Sequence, residues 1–172
     1  MACEVIADGG HQAMKAILEN DYFNWTLRTV VGLVLIVAAI DKAANPGAFA
    51  VSIANYKLIG EGPALWVATI LPWIELVTGL SVLFGVLRTG GAVVASGLFA
   101  IFAALMASAL ARGLDISCGC FSQDPGVGTI NGLRIIEDIG LLIASILIAR
   151  SNNGSFSVEE YIARQASRKE MP

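Results

Sequence analysis

The sequence predicts an all-α membrane protein, a bundle of four transmembrane helices with short interfacial helices between them. Three observations carry this. Hydrophobic residues make up 56% of the 172 residues and charged residues 15%, against roughly 45–50% and about 25% in soluble domains, and mean hydropathy is +0.71. Residues 64–87 hold a single charge, Glu75, and residues 89–111 hold none, where about 20 apolar residues suffice to cross a hydrocarbon core of roughly 30 Å. A third apolar window follows an aromatic belt of Tyr22, Phe23 and Trp25. At about 150 residues per domain the length leaves room for one bundle and no second catalytic module. A net charge of −3 supplies no basic stripe for a phosphate backbone, and one His excludes a site built from several imidazoles.

Residues 1–25 read as a cytoplasmic N-terminal segment. Acids and polar groups stand where a secretory signal would need a short apolar core. Met14, Ile17 and Leu18 form an apolar stripe between His11 and Asp21. The first span runs from Thr26 to Ala44, with Arg28 near its start and Asp41 and Lys42 near its end. Asn45-Pro46 is a helix start, a capping side chain followed by Pro at the first helical position, and Gly60 is a stop; Phe49, Ile53 and Tyr56 recur between them at helical spacing. That pattern predicts an interfacial helix.

The second and third spans are the two charge-poor windows. Pro72 should kink the second, and small residues four apart, Ser81 and Gly85 or Ala100, Ala104 and Ser108, should let helices approach closely. The fourth span is weaker: only Ile139–Ala149 is uninterrupted, and a spanning length requires extension back to about Asn131 through Arg134, Glu137 and Asp138, which cannot face lipid. In the tail, residues 151–172, Ser157-Val-Glu-Glu160 resembles a capping box opening a short amphipathic helix.

Lys and Arg divide unevenly between the two sides. Lys15, Arg28, Arg88, Arg150, Arg164, Arg168 and Lys169 fall on one side; Lys42, Lys57, Arg112 and Arg134 fall on the other. Positive residues mark the cytoplasm, so both termini are expected inside and the third loop outside.

That loop carries the chemistry, in Arg112-Gly-Leu-Asp-Ile-Ser-Cys-Gly-Cys-Phe121. Thiols on the oxidising side of a membrane tend to become disulfides. A bridge across one Gly closes a very small ring, which strains the backbone and makes the bond easily reduced. Redox exchange by Cys118 and Cys120 stands beside two alternatives: a purely structural bridge, which such a short loop stabilises little, and half of a soft-metal site. Arg112, Arg134 and the positive end of the fourth helix favour a thiolate, while Asp115 and Asp124 oppose it. Cys3 is expected in the cytoplasm as a free thiol.

Beneath the loop the sequence predicts a polar pocket in the outer half of the bundle, lined by Asp41, Lys42, Glu75, Arg134, Glu137 and Asp138. Glu75 should lie near mid-membrane, Asp41 and Lys42 shallower, and Arg134 within reach of Glu137 and Asp138 on its own helix. Such ions either hold the helices together or, through Glu75, relay protons for thiol chemistry above.

Lys42, Pro46-Gly-Ala-Phe49, Ile53-Ala-Asn-Tyr56-Lys-Leu58, Leu71-Pro-Trp-Ile-Glu75 and the Cys-Gly-Cys-Phe121 element together resemble the methylamine-utilisation MauE family, within the DoxX-like four-helix membrane proteins, over roughly residues 26–150. The resemblance implies a role beside a thioredoxin-like periplasmic protein, in disulfide formation or electron supply during maturation of extracytoplasmic proteins. Ser122 stands where the family often has Gly. With no second extracytoplasmic cysteine pair, of the kind used by DsbB-like and vitamin K epoxide reductase-like enzymes, electrons would pass to or from another membrane component such as a quinone. The expectation is therefore an inner-membrane thiol:disulfide oxidoreductase acting through Cys118 and Cys120, with Glu75 as proton relay and Arg112 in support. The rival readings are a soft-metal transporter using the cysteines as entry ligands and a non-catalytic assembly subunit.

Overall fold

The computed structural model describes residues 20–114 and 132–151, which form five helices and no strand. In chain order they are α1 (Asp21–Ala44), α2 (Pro46–Asn55), α3 (Glu61–Phe84), α4 (Arg88–Ala111) and α5 (Gly132–Arg150). The N-terminal amphipathic stripe, Cys3, the cysteine loop and the tail helix lie outside the described residues. Helices α1, α3 and α4, each of 24 residues, are long and apolar enough to cross a membrane. Helix α5 has 19 residues, and Arg134, Glu137 and Asp138 fall in its first two turns.

The four long helices form a closed ring in which α1 packs on α3, α3 on α4, α4 on α5 and α5 back on α1. Side-chain bonds define its two ends. Arg28 Nε donates to the Val82 carbonyl at 3.1 Å and its NH2 group to that of Leu83 at 3.4 Å, so the start of α1 lies beside the end of α3. Asn24 Nδ2 donates to the Ser151 hydroxyl, which brings the end of α5 to the same place. Its opposite end, carrying Lys42, α2 and the close of α4, is called the distal end below. Residues 114 and 132, which flank the cysteine loop, both sit there.

Each helix boundary has a local cause. The Asn20 side chain accepts from the backbone N–H groups of Tyr22 and Phe23 and starts α1. Pro46 begins α2 at a position where its missing N–H is no loss. The expected stop at Gly60 comes earlier: α2 ends at Asn55, followed by Lys57 at φ +53°, and Gly60 instead precedes α3 with an extended backbone. Gly85 closes α3 at φ +69°, the left-handed conformation that a glycine adopts without strain. Only residues 85–87 then separate α3 from α4, so the two are antiparallel neighbours. Pro72 lies inside α3, which continues through it as one helix.

The interior is rich in alanine, together with Leu35, Phe99, Met106 and Ile148, and many other large apolar side chains face outward. Ala38, Ala39, Ala64, Ala68, Ala92, Ala95 and Ala109 are buried, while Leu33, Val37, Ile40, Ile70, Trp73, Val77, Val93, Ile101 and Ile143 are exposed. That inversion suits a lipid surround, where close backbone approach rather than hydrophobic collapse drives helix association. The tightest approach is between α1 and α3: a Cβ added to Gly79 would stand 2.9 Å from the Gly32 carbonyl oxygen, and one added to Gly32 2.9 Å from Leu83 Cβ. The predicted Ala100, Ala104 and Ser108 stripe does not pack, since Ala100 and Ala104 face outward. The buried face of α4 runs instead through Ala92, Ala95, Phe99, Met106 and Ala109. An apolar helix whose every face is hydrophobic offers no periodicity to mark the buried one.

Candidate functional site

Two of the three most deeply buried charges in the bundle meet at one point. Lys42 Nζ lies 2.5 Å from Glu75 Oε1, with Lys42 1% and Glu75 0% exposed. The backbones start far apart. Taking Arg28 as level with Val82, Lys42 lies ~21 Å along α1 and Glu75 ~10 Å back along α3. The remaining axial gap is closed because side chains lean toward the N-terminus of their own helix. In antiparallel helices Lys42 and Glu75 therefore reach toward each other, and both are long enough to meet.

Aromatic rings complete the enclosure. The Lys42 ammonium stands 4.9 Å from the centroid of Phe102 on α4 and 5.5 Å from that of Phe49 on α2. Both lie within the range in which a ring face attracts a cation, and the attraction strengthens when water is excluded. Three helices thus converge on one cation, and α2 is held over the ring by the same contact. Glu75 Oε2 is buried without a hydrogen-bond partner among the described residues. A buried carboxylate offers about four acceptor positions, so the pair retains capacity for another donor or a proton.

Beside this pair is a cavity of about 340 Å³ between α2, α3 and α4. Phe49 and Phe102 form part of its wall, with Tyr56, Leu71, Leu98 and Leu105 among the others. Of the six residues predicted to line a polar pocket, Lys42 and Glu75 meet in the buried ion pair. Asp138 is buried on α5 and Asp41 is half-buried at the close of α1. Arg134 pairs with Glu137 at 3.1 Å, but both side chains are partly exposed, at 35% and 48%. Spacing along α5 matches charges that share a face, and it cannot say which way that face turns.

Arg112 holds a positioning role at the distal end. Its NH2 group donates to the Tyr56 carbonyl at 2.8 Å and its Nε to that of Ser108 at 3.2 Å. It thereby ties the end of α4, two residues before the cysteine loop is entered at Leu114, to the end of α2. Cys118 and Cys120 themselves lie outside the described residues, as do Asp115 and Asp124. Phe102 was not foreseen: it sits in a uniformly apolar helix, and nothing in its spacing sets it apart from Phe99 or Ile101. Arg28 was read only as a flanking charge, whereas it caps the carbonyls that end α3.

The bundle coincides with a known sequence family. The family described as "Methylamine utilisation protein MauE" matches residues 20–151, from the N-cap of α1 to the serine that Asn24 bonds. A Methylamine utilization protein MauE from Methylophilus methylotrophus is 33% identical over 120 residues, 69% of this chain and 63% of the relative. Another of that name, from Paracoccus denitrificans, is 31% identical over 126 residues, 73% of this chain and 67% of the relative. The chain thus spans about two thirds of the length of the curated relatives it matches. No solved structure matches. With three helices fit to cross a membrane and a family match over most of its length, this multi-pass membrane protein belongs to the MauE family.

Proposed function

We propose that this protein is an inner-membrane thiol:disulfide oxidoreductase that acts in methylamine utilisation, oxidising a thioredoxin-like extracytoplasmic partner through Cys118 and Cys120. What supports the reading is that Leu114 and Gly132, the described residues on either side of the Cys-Gly-Cys segment in the sequence, both stand at the end of the bundle where Arg112 ties α4 to α2, beyond the Lys42–Glu75 pair. Four spans, both termini in the cytoplasm and an outward-facing distal end complete the proposal.

The step balances as an exchange. A partner thiolate attacks one sulfur of the Cys118–Cys120 disulfide and the other sulfur leaves as a thiolate. The partner's second thiol then displaces the first, leaving the partner oxidised and Cys118 and Cys120 reduced. A disulfide across one residue is strained and so favours acceptance of electrons. Trapping tests this directly. A thioredoxin-like partner lacking its second cysteine should accumulate a mixed disulfide with the native chain, and the Cys118→Ser, Cys120→Ser double variant should trap none. Undiminished partner oxidation by the double variant would refute the reading.

A further inference from the structure

The cavity between α2, α3 and α4 runs lengthwise from the membrane surface into the hydrocarbon. Its lining starts at the distal end with Tyr56, Leu58 and Ile59 and reaches Leu71 on α3 and Leu98 on α4. On α4 alone the lining extends from Leu98 to Leu105, about two turns or ~10 Å of the bundle axis. Every residue in it is aliphatic or aromatic, and its volume is about 340 Å³. Leu58, Ile59, Val67 and Ile101 line it and are exposed at 40% or more, so it opens sideways through the surface presented to lipid. Trp66, the neighbour of Val67 in sequence and 73% exposed, marks the interfacial level at which that opening begins.

A slot of this kind takes an apolar chain and needs no hydrogen-bond donor within it; what selects among apolar molecules lies at its rim. Two cations stand there. Lys57 is exposed in the turn between the lining residues Tyr56 and Leu58. Arg112, also exposed, donates to the Tyr56 carbonyl at 2.8 Å and to that of Ser108, which leaves most of its five N–H donors for another acceptor. Among the described residues at the distal ends of α2, α3 and α4, one acid opposes them, Glu61 in the first turn of α3. An anionic phospholipid has the matching chemistry: an acyl chain for the slot and, at the interface, a phosphate for the cations. We infer that the cavity holds an acyl chain of an anionic phospholipid whose phosphate is bound at the rim by Lys57 and Arg112. A zwitterionic phospholipid offers the same chains but offsets its phosphate with an ammonium, and an uncharged apolar molecule offers the rim nothing. A phosphate so held joins the turn after α2 to the end of α4, the same two elements that Arg112 ties.

The experiment uses full-length protein in phosphatidylcholine nanodiscs carrying a trace of photoreactive phospholipid. The probe has a diazirine in one acyl chain and either a phosphatidylglycerol or a phosphatidylcholine headgroup. The phosphatidylglycerol probe is expected to label cavity residues of α2, α3 and α4 about tenfold or more above the phosphatidylcholine probe, since each cation at the surface favours an anionic lipid. Lys57→Gln and Arg112→Gln should each lower that preference about fivefold, and Lys57→Gln carries the test even if Arg112→Gln loosens α2. Leu105→Trp fills the cavity and should abolish labelling there by both probes. Ile101→Trp narrows the exposed mouth without entering the core and should lower labelling even if Leu105→Trp fails to fold. Equal labelling by the two probes, or a preference unmoved by Lys57→Gln, would show that the rim selects no headgroup and overturn the inference. Labelling spread evenly over lipid-facing residues, or insensitive to both Trp variants, would overturn it as well, by showing that no chain occupies the cavity.

Discussion

Lys42 and Glu75 show what a single contact costs and decides in this bundle. Two charges removed from water, facing each other at 2.5 Å, are a weak source of net stability but a strong constraint, because losing one partner strands the other. Lys42→Ala should therefore lower unfolding free energy by about 3–5 kcal/mol, read from denaturation in detergent. Lys42→Met combined with Glu75→Leu should recover most of that loss. If Lys42→Ala unfolds like the native chain, the pair is wetter than its burial indicates. Arg28, 1% exposed, is bound differently, to backbone oxygens at the negative end of α3. Arg28→Ala should destabilise by about 1–3 kcal/mol through those orphaned carbonyls, with the loss read in the same denaturation assay. The presence of buried charge was legible in the residues, because an ion inside an apolar window must turn inward. Its pairing was not: Lys42 and Glu75 are 33 positions apart, and their meeting depends on helix direction and height.

At the scale of helices, the α1–α3 crossing governs how the bundle closes. Gly32 and Gly79 meet backbone to backbone, with no room for a methyl on either. Gly79→Ala should cost about 1–3 kcal/mol by overpacking. Gly47→Ala, where an added Cβ meets nothing within 4 Å, should leave the midpoint nearly unchanged, and thermal unfolding of the two variants compares them. Equal midpoints would mean that α1 and α3 can slide apart without loss. Helix extents were readable to within a few residues: Pro46 starts α2 as expected, whereas α1 begins at Asp21 rather than Thr26 because Asn20 caps it, and Gly85, expected as a packing residue, instead closes α3. The stop of α2 was misplaced because Lys57 takes a left-handed conformation that its residue type does not advertise. The packing face of α4 was misread for a related reason: when all faces are apolar, small residues alone do not tell a seam from a lipid-facing surface.

For the molecule as a whole, Trp25 and Trp66 stand exposed toward opposite ends of the bundle, with Trp73 between them. Trp66 near the start of α3 is 73% exposed and Trp25 near the start of α1 is 50% exposed. With Arg28 level with Val82, they lie roughly 28 Å apart along the bundle, close to the thickness of a hydrocarbon core. Glu75 is then about 13 Å from the Trp66 level, near the midplane. Interfacial aromatics at two levels and an apolar waist between them fit a spanning bundle. Under the proposed orientation, a membrane-impermeant maleimide should label Leu58→Cys in intact cells and Val86→Cys only after the cells are opened. The opposite pattern would place the cysteine loop in the cytosol, where no oxidising partner is maintained.

Membrane class, the approximate positions of the long helices and the inward turn of Lys42 and Glu75 were determined by the sequence alone. Each follows from local, additive quantities: apolar length against bilayer thickness, cap chemistry at helix ends, and the cost of an ion in hydrocarbon. Only the tertiary structure decided that Lys42 answers Glu75, that Phe102 and Phe49 enclose them, and that an apolar cavity lies beside them. Those outcomes depend on relative helix height and rotation, which glycines set at one crossing and which no single helix encodes.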